Sequence, residues 1–109
     1  MKIFYLKRPP FLGKNVIAMN LFGMILARKG RTLSPTTVFH ERIHTAQMRE
    51  MLYVFFYIWY VLEWLVRCVC YFSAYKAYSN ISFEREAYEN ESNPGYLIQR
   101  RHYRWTRYL

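Results

Sequence analysis

His40, Glu41 and His44 stand in the order H-E-x-x-H within residues 36–47, TTVFHERIHTAQ. On an α-helix, residues four apart share a face one turn apart, so the two imidazoles can reach one metal ion. Glu41 lies three residues before His44 and points to the same side. A carboxylate there can act as general base toward a water that the ion has acidified, which is the chemistry of hydrolysis at a carbonyl. Two histidines leave a catalytic zinc one protein ligand short. The chain has no Asp and only one further histidine, His102, so the remaining carboxylates are Glu50, Glu63, Glu84, Glu86, Glu89 and Glu91. H-E-x-x-H also occurs on helices that bind no metal, where the histidines are ordinary surface or core residues, so the motif alone does not decide.

Among those carboxylates the segment FEREAY, residues 83–88, stands out. HERIH followed about forty residues later by FEREAY resembles the gluzincin clan of zinc metallopeptidases, whose second motif is a glutamate on a following helix, often written E-x-E-A-D. The resemblance implies that His40, His44 and Glu84 ligate zinc, that Glu41 is the general base, and that the substrate is a peptide or protein. Glu86 matches the second glutamate and Ala87 the small residue, whereas Tyr88 stands where the pattern has Asp. The clan also places an edge strand that holds extended substrate before the first motif, and residues 16–28 correspond to it. The resemblance covers roughly residues 16–90, and only its two motifs are specific.

The elements that must bring these residues together can be read from local signals. Ser34 before Pro35 is a capping residue ahead of a proline at the first helical position, which starts a helix that runs to about Glu50. Residues 51–62 are all apolar or aromatic, and the run continues through Glu63 and Arg67 to about Tyr75, predicting a second, very hydrophobic helix. Asn80, Ser82 and the acidic stretch 82–91 predict a capped third helix with carboxylates at its positive end. Asn93-Pro94-Gly95 stops it. Upstream, residues 2–6 are β-prone, 8–13 form a turn, and 15–28 hold one or two strands. Residues 96–109 interleave Arg100, Arg101, Arg104 and Arg107 with aromatics and predict a short basic amphipathic helix.

The expected fold is α+β and mainly helical, a zincin-like minimal domain over residues 1–109. It has a short N-terminal β-sheet or hairpin, an active-site helix, a long apolar helix, a glutamate helix and a basic C-terminal helix. One constraint follows. A straight helix over residues 51–75 would span roughly 37 Å, while the first helix continues only about 9 Å past His44. For Glu84 to reach the histidines, the second helix must cross steeply or break, or residues 76–81 must double back.

Composition bounds the rest. A chain that is 53% hydrophobic and 20% aromatic is not disordered, and a net charge of +9 attracts anionic partners. Cys68 and Cys70 diverge on a helix and read as reduced core residues of a reducing compartment, so a cytoplasmic location is expected, either free or peripheral to the membrane. The apolar segment 3–6 is too short for a cleaved signal. The run 51–72 is long enough to span a bilayer, but Glu63 and Arg67, spaced to pair, sit well inside it. A buried central helix is therefore expected ahead of interfacial docking and of spanning.

So small a chain leaves an apolar patch for a membrane surface or a homodimer to cover. The tail suits acidic lipid or RNA, with nucleic acid the disfavoured partner. His102 reads as solvated, and Tyr88 and Tyr103 as transition-state donors or as packing. The rival reading is a non-catalytic basic-aromatic module that docks on membrane or nucleic acid. A third is a zinc-binding protein without turnover.

Overall fold

The computed structural model describes residues 3–6, 18–30 and 33–109. In β3 (Met24–Arg28) the side chains alternate, Ile25 and Ala27 being fully enclosed, which is the period-two pattern of a sheet with one covered face. β3 is the central strand. β2 (Ala18–Leu21) pairs with it antiparallel, Met19 opposite Leu26, and β1 (Ile3–Leu6) pairs parallel, Ile3 opposite Ile25. Phe22 and Gly23 form the two-residue hairpin with φ of 50° and 89°, the turn class whose twist matches paired strands. Phe22 is held in that unusual conformation by its N–H on the Tyr57 hydroxyl at 2.9 Å and its ring against the same tyrosine. Lys2, the expected turn at 8–13 and the expected strand residues 15–17 lie outside the described residues.

Pro35 opens α1 (Pro35–Glu50), and the Ser34 hydroxyl accepts the Thr37 N–H at 3.1 Å. The exit from α1 is abrupt. Leu52 and Tyr53 both have positive φ, and the Tyr53 N–H turns back to the Met48 carbonyl at 2.8 Å. α2 (Val54–Tyr71) then ends at Phe72, a left-handed residue whose N–H bonds to the Cys68 carbonyl at 2.9 Å. Ser73 caps the short α3 (Ala74–Ser79) by accepting the Lys76 N–H. This break returns the chain toward α1. α4 (Ser82–Asn90) has no side-chain cap of its own. Instead Glu63, from the middle of α2, accepts both the N–H and the hydroxyl of Ser82 at 2.6 Å, and pairs with Arg67 at 3.0 Å.

The chain is thus α+β and mainly helical, with a small mixed sheet. Met48, Phe56, Ile81, Phe83 and Trp105 form the core where the end of α1, the first half of α2 and the start of α4 meet. The Phe83 ring lies 4.5 Å from Phe56 and 4.6 Å from Trp105.

Three expectations are corrected. α2 is not a buried central helix, since Phe56 is its one buried residue: Glu63 and Arg67 turn inward to α4 and leave apolar side chains outside. For the same reason Cys68 is only half-buried and Cys70 exposed, both as free thiols, not core residues. The tail is not one basic helix, and Arg100 is withdrawn from water, although Arg101 and Arg107 are exposed. A single turn, α5 (Tyr96–Gln99), is followed by extended Arg100, left-handed Tyr103 and a 3-10 turn over Arg104–Tyr108. Glu86 and Glu50 draw Arg100 inward at 2.6 and 2.9 Å, and Trp105 enters the core, so a straight helix cannot form.

If Glu63 holds α4 chiefly as a cap, Glu63→Ala should cost about 3 kcal/mol in urea unfolding, because two donors and the Arg67 charge lose their partner. Arg67→Ala should cost less than about 1 kcal/mol. Equal losses in the two variants would assign the effect to the ion pair.

Candidate metal centre

α1 presents His40 and His44 one turn apart on its covered face, and α4 brings Glu84 against them from the other side, all three being buried. The two Nε2 atoms are 3.1 Å apart, and each lies 3.0 Å from Glu84 Oε1. The Tyr60 hydroxyl donates to the other oxygen, Oε2, at 2.6 Å, which fixes the carboxylate plane.

The neighbours assign the tautomers. Gln47 Nε2 donates to the Phe83 carbonyl at 3.0 Å and to Glu86 Oε1 at 2.9 Å, so Gln47 Oε1, 2.7 Å from His44 Nδ1, must accept. Glu91 Oε2 does the same for His40 Nδ1 at 2.7 Å. With protons on both Nδ1 atoms, both Nε2 lone pairs and Oε1 of Glu84 converge as three acceptors in a buried space. Such a cluster requires a cation at its centre. In tetrahedral coordination, nitrogen and oxygen ligands about 2.0–2.1 Å from a zinc-sized ion stand about 3.3–3.4 Å apart, close to the spacing observed. His40, His44 and Glu84 can therefore hold a metal ion.

Charge within the cluster follows the same logic. Burial opposes protonation of His44, but the charge and hydrogen bond of Glu84, helped by Glu41, hold its pKa up at about 9. Burial would raise Glu84, yet the His44 charge and the bonds from His40, His44 and Tyr60 keep its carboxyl well below the usual carboxylate range. In the metal-free chain a proton on His44 supplies the cation.

Glu41 is half-buried beside the histidines. Burial pushes its pKa up, the two histidines oppose that, and Glu84 adds to it. Its carboxylate takes no hydrogen bond among the described residues. Its backbone is pinned instead. Asn20, buried on β2, donates to the Glu41 carbonyl at 2.8 Å and to the Thr45 hydroxyl at 2.9 Å, and accepts the Gly23 N–H at 2.9 Å. The hairpin is thereby fastened to the turn of α1 that carries Glu41.

The four residues singled out by the motifs are thus together. Glu86, the second glutamate of the pattern, is fully buried and lies behind Gln47, where it also receives Arg100 and the Tyr96 hydroxyl at 2.5 Å. Tyr88 packs its ring edge on His40, with centroids 4.5 Å apart, and its hydroxyl meets that of Tyr78. Tyr103 is elsewhere: its hydroxyl lies on the Glu50 carbonyl at the end of α1, so it is no donor to this site. His102 is exposed, with Nδ1 3.2 Å from Glu50.

Sequence reasoning missed Gln47, Glu91, Tyr60 and Asn20. Gln47 follows His44 by three and Glu91 follows Glu84 by seven, both same-face spacings that could have suggested them. Nothing local marks Tyr60 or Asn20. No protein-family model, curated protein or solved structure matches the chain.

Elemental analysis should find one bound metal per chain, lost in His44→Ala and in Glu84→Ala. Glu91→Ala should weaken binding about 10–100-fold, because His40 loses the acceptor that orients it. Metal must displace the His44 proton, so below about pH 9 the apparent affinity should rise with pH, approaching tenfold per unit, and fall in acid. Calorimetry in buffers of different ionisation enthalpy should register the released proton.

Proposed function

We propose that this chain is a zinc-dependent metallopeptidase of the gluzincin type, with His40, His44 and Glu84 as ligands and Glu41 as general base. The observation that carries the proposal is the convergence of two imidazole nitrogens and a carboxylate oxygen at 3.0–3.1 Å beside a carboxylate with no hydrogen bond among the described residues. Two imidazoles and one carboxylate suit zinc, and three protein donors leave a fourth position for water.

Bound there, zinc supplies Lewis acidity, which acidifies a water and polarises a peptide carbonyl. Glu41 accepts the water's proton as its oxygen attacks the carbonyl carbon, then delivers that proton to the leaving amine nitrogen. Burial, by raising the Glu41 pKa, makes it a stronger base than a solvated carboxylate. Gln47 and Glu91 keep both Nε2 atoms turned to the ion, and Tyr60 holds Glu84. β2 is the edge strand next to α1 and is paired on one side only among the described residues, which suits it to take an extended peptide by strand addition.

The zinc-loaded chain should cleave members of a peptide library. Glu41→Gln should retain one zinc per chain and lose about 10²–10⁴-fold in rate. Zinc binding with no cleavage by the wild type would leave a metal-binding protein without turnover, and equal rates in both proteins would remove Glu41 from the chemistry.

A further inference from the structure

From Val54 to Val69, α2 carries nine large apolar side chains that are each 41 to 72% exposed, among them Val54, Ile58, Leu62, Leu65, Val66 and Val69, while Tyr71, 40% exposed, lies on the other side. At about 100° per residue they occupy one continuous arc of roughly 160° around the helix axis. Both charges of the helix, Glu63 and Arg67, fall on the opposite arc and are consumed by each other and by Ser82. The outward arc therefore holds no charge, and at about 27 Å it is as long as the hydrocarbon core of a bilayer is thick. Soluble monomers rarely expose a contiguous apolar patch beyond a few hundred Å², which makes this face a candidate for an occupant.

We propose that the occupant is an anionic lipid membrane, in which α2 lies in the plane of the surface with its outward arc sunk into the acyl boundary. Charge selects lipid over a second copy: each chain carries +9, which repels its like and attracts acidic headgroups. Basic groups lie close to both ends of α2 in the chain. Arg49 is exposed just before α2 and Lys76 just after it, while Arg104 and Arg107 flank Trp105, whose ring lies 5.5 Å from Trp59 of the outward face. Trp59 itself suits the boundary between acyl chains and headgroups.

The inward contacts argue for lying over crossing. Glu63, at the midpoint of α2, caps α4, so a spanning α2 would carry α4 to the bilayer centre with its exposed Arg85 and Glu89. In the plane of the surface, the same contacts hold α4 and the His40–His44–Glu84 cluster on the water side. Such a lipid face is independent of any catalysis at the cluster.

Flotation of the full chain with phosphatidylcholine vesicles, with and without phosphatidylglycerol, tests it. The protein should float with the anionic vesicles, be released by alkaline carbonate, and show tryptophan quenching by brominated lipid that Trp59→Phe largely removes. Leu65→Gln/Val66→Gln should lower partitioning at least about tenfold. One bound metal per chain in that variant would show it folded, and the quenching experiment needs no variant of the face. A wild-type chain that stays in the aqueous fraction, as monomer or as a stoichiometric dimer, would overturn the proposal. So would resistance to carbonate, which would mean spanning, or flotation of the double variant equal to wild type.

Discussion

Two imidazole nitrogens and a carboxylate oxygen packed 3.0–3.1 Å apart, away from water, repel one another unless a cation lies among them, and much of this fold serves to keep them there. Each of the three groups is braced from a different element. Glu91, just beyond α4, holds His40; Gln47 holds His44; Tyr60 of α2 holds Glu84. Gln47 is itself fixed by Glu86, which is bonded to Arg100, and Arg100 reaches Glu50 with two hydrogen bonds. A buried carboxylate such as Glu86 is tolerated only because every partner in this chain of bonds is satisfied. The C-terminal segment is thus tied to the orientation of a ring two hydrogen bonds from Glu86.

What was legible in the sequence was local. Ser34-Pro35 marks a helix start wherever the chain goes afterward, and HERIH places two imidazoles on one face by helical geometry alone. Glu84 was found through resemblance to a two-motif pattern, and its requirement for a return in the chain anticipated a break like the one at Phe72. The break itself has no glycine or proline to announce it. Phe72, like Leu52 and Tyr53, adopts positive φ in a run of large residues, where tertiary contacts override local preference. Position 88 shows a similar limit. The pattern has an aspartate there, and Tyr88 gives a ring contact to His40 instead, while the carboxylate that bonds His40 comes from Glu91, three residues on.

The burial of α2 was misread because hydrophobicity reports how much a helix gains from leaving water, not which way it faces. Arg100 was misread for the opposite reason. A basic residue in a basic tail looks solvated until Glu50 and Glu86, distant in sequence, are found on either side of it.

The outward face of α2 is linked to the candidate metal centre by what its inward face carries. The inward side of a soluble core helix is its apolar side. In α2 that side carries Phe56 in the core beside Tyr57, Tyr60 and Glu63, which bond to the hairpin, to Glu84 and to the start of α4, with Arg67 paired to Glu63. A helix that gives its inner arc to polar contacts around a site has only its outer arc left for aliphatic residues. Had α2 been amphipathic in the ordinary sense, Tyr60 could not have reached Glu84, nor Glu63 the start of α4. The exposed apolar face is therefore the complement of the support that α2 gives to Glu84, and the membrane proposed for that face would let one helix do both.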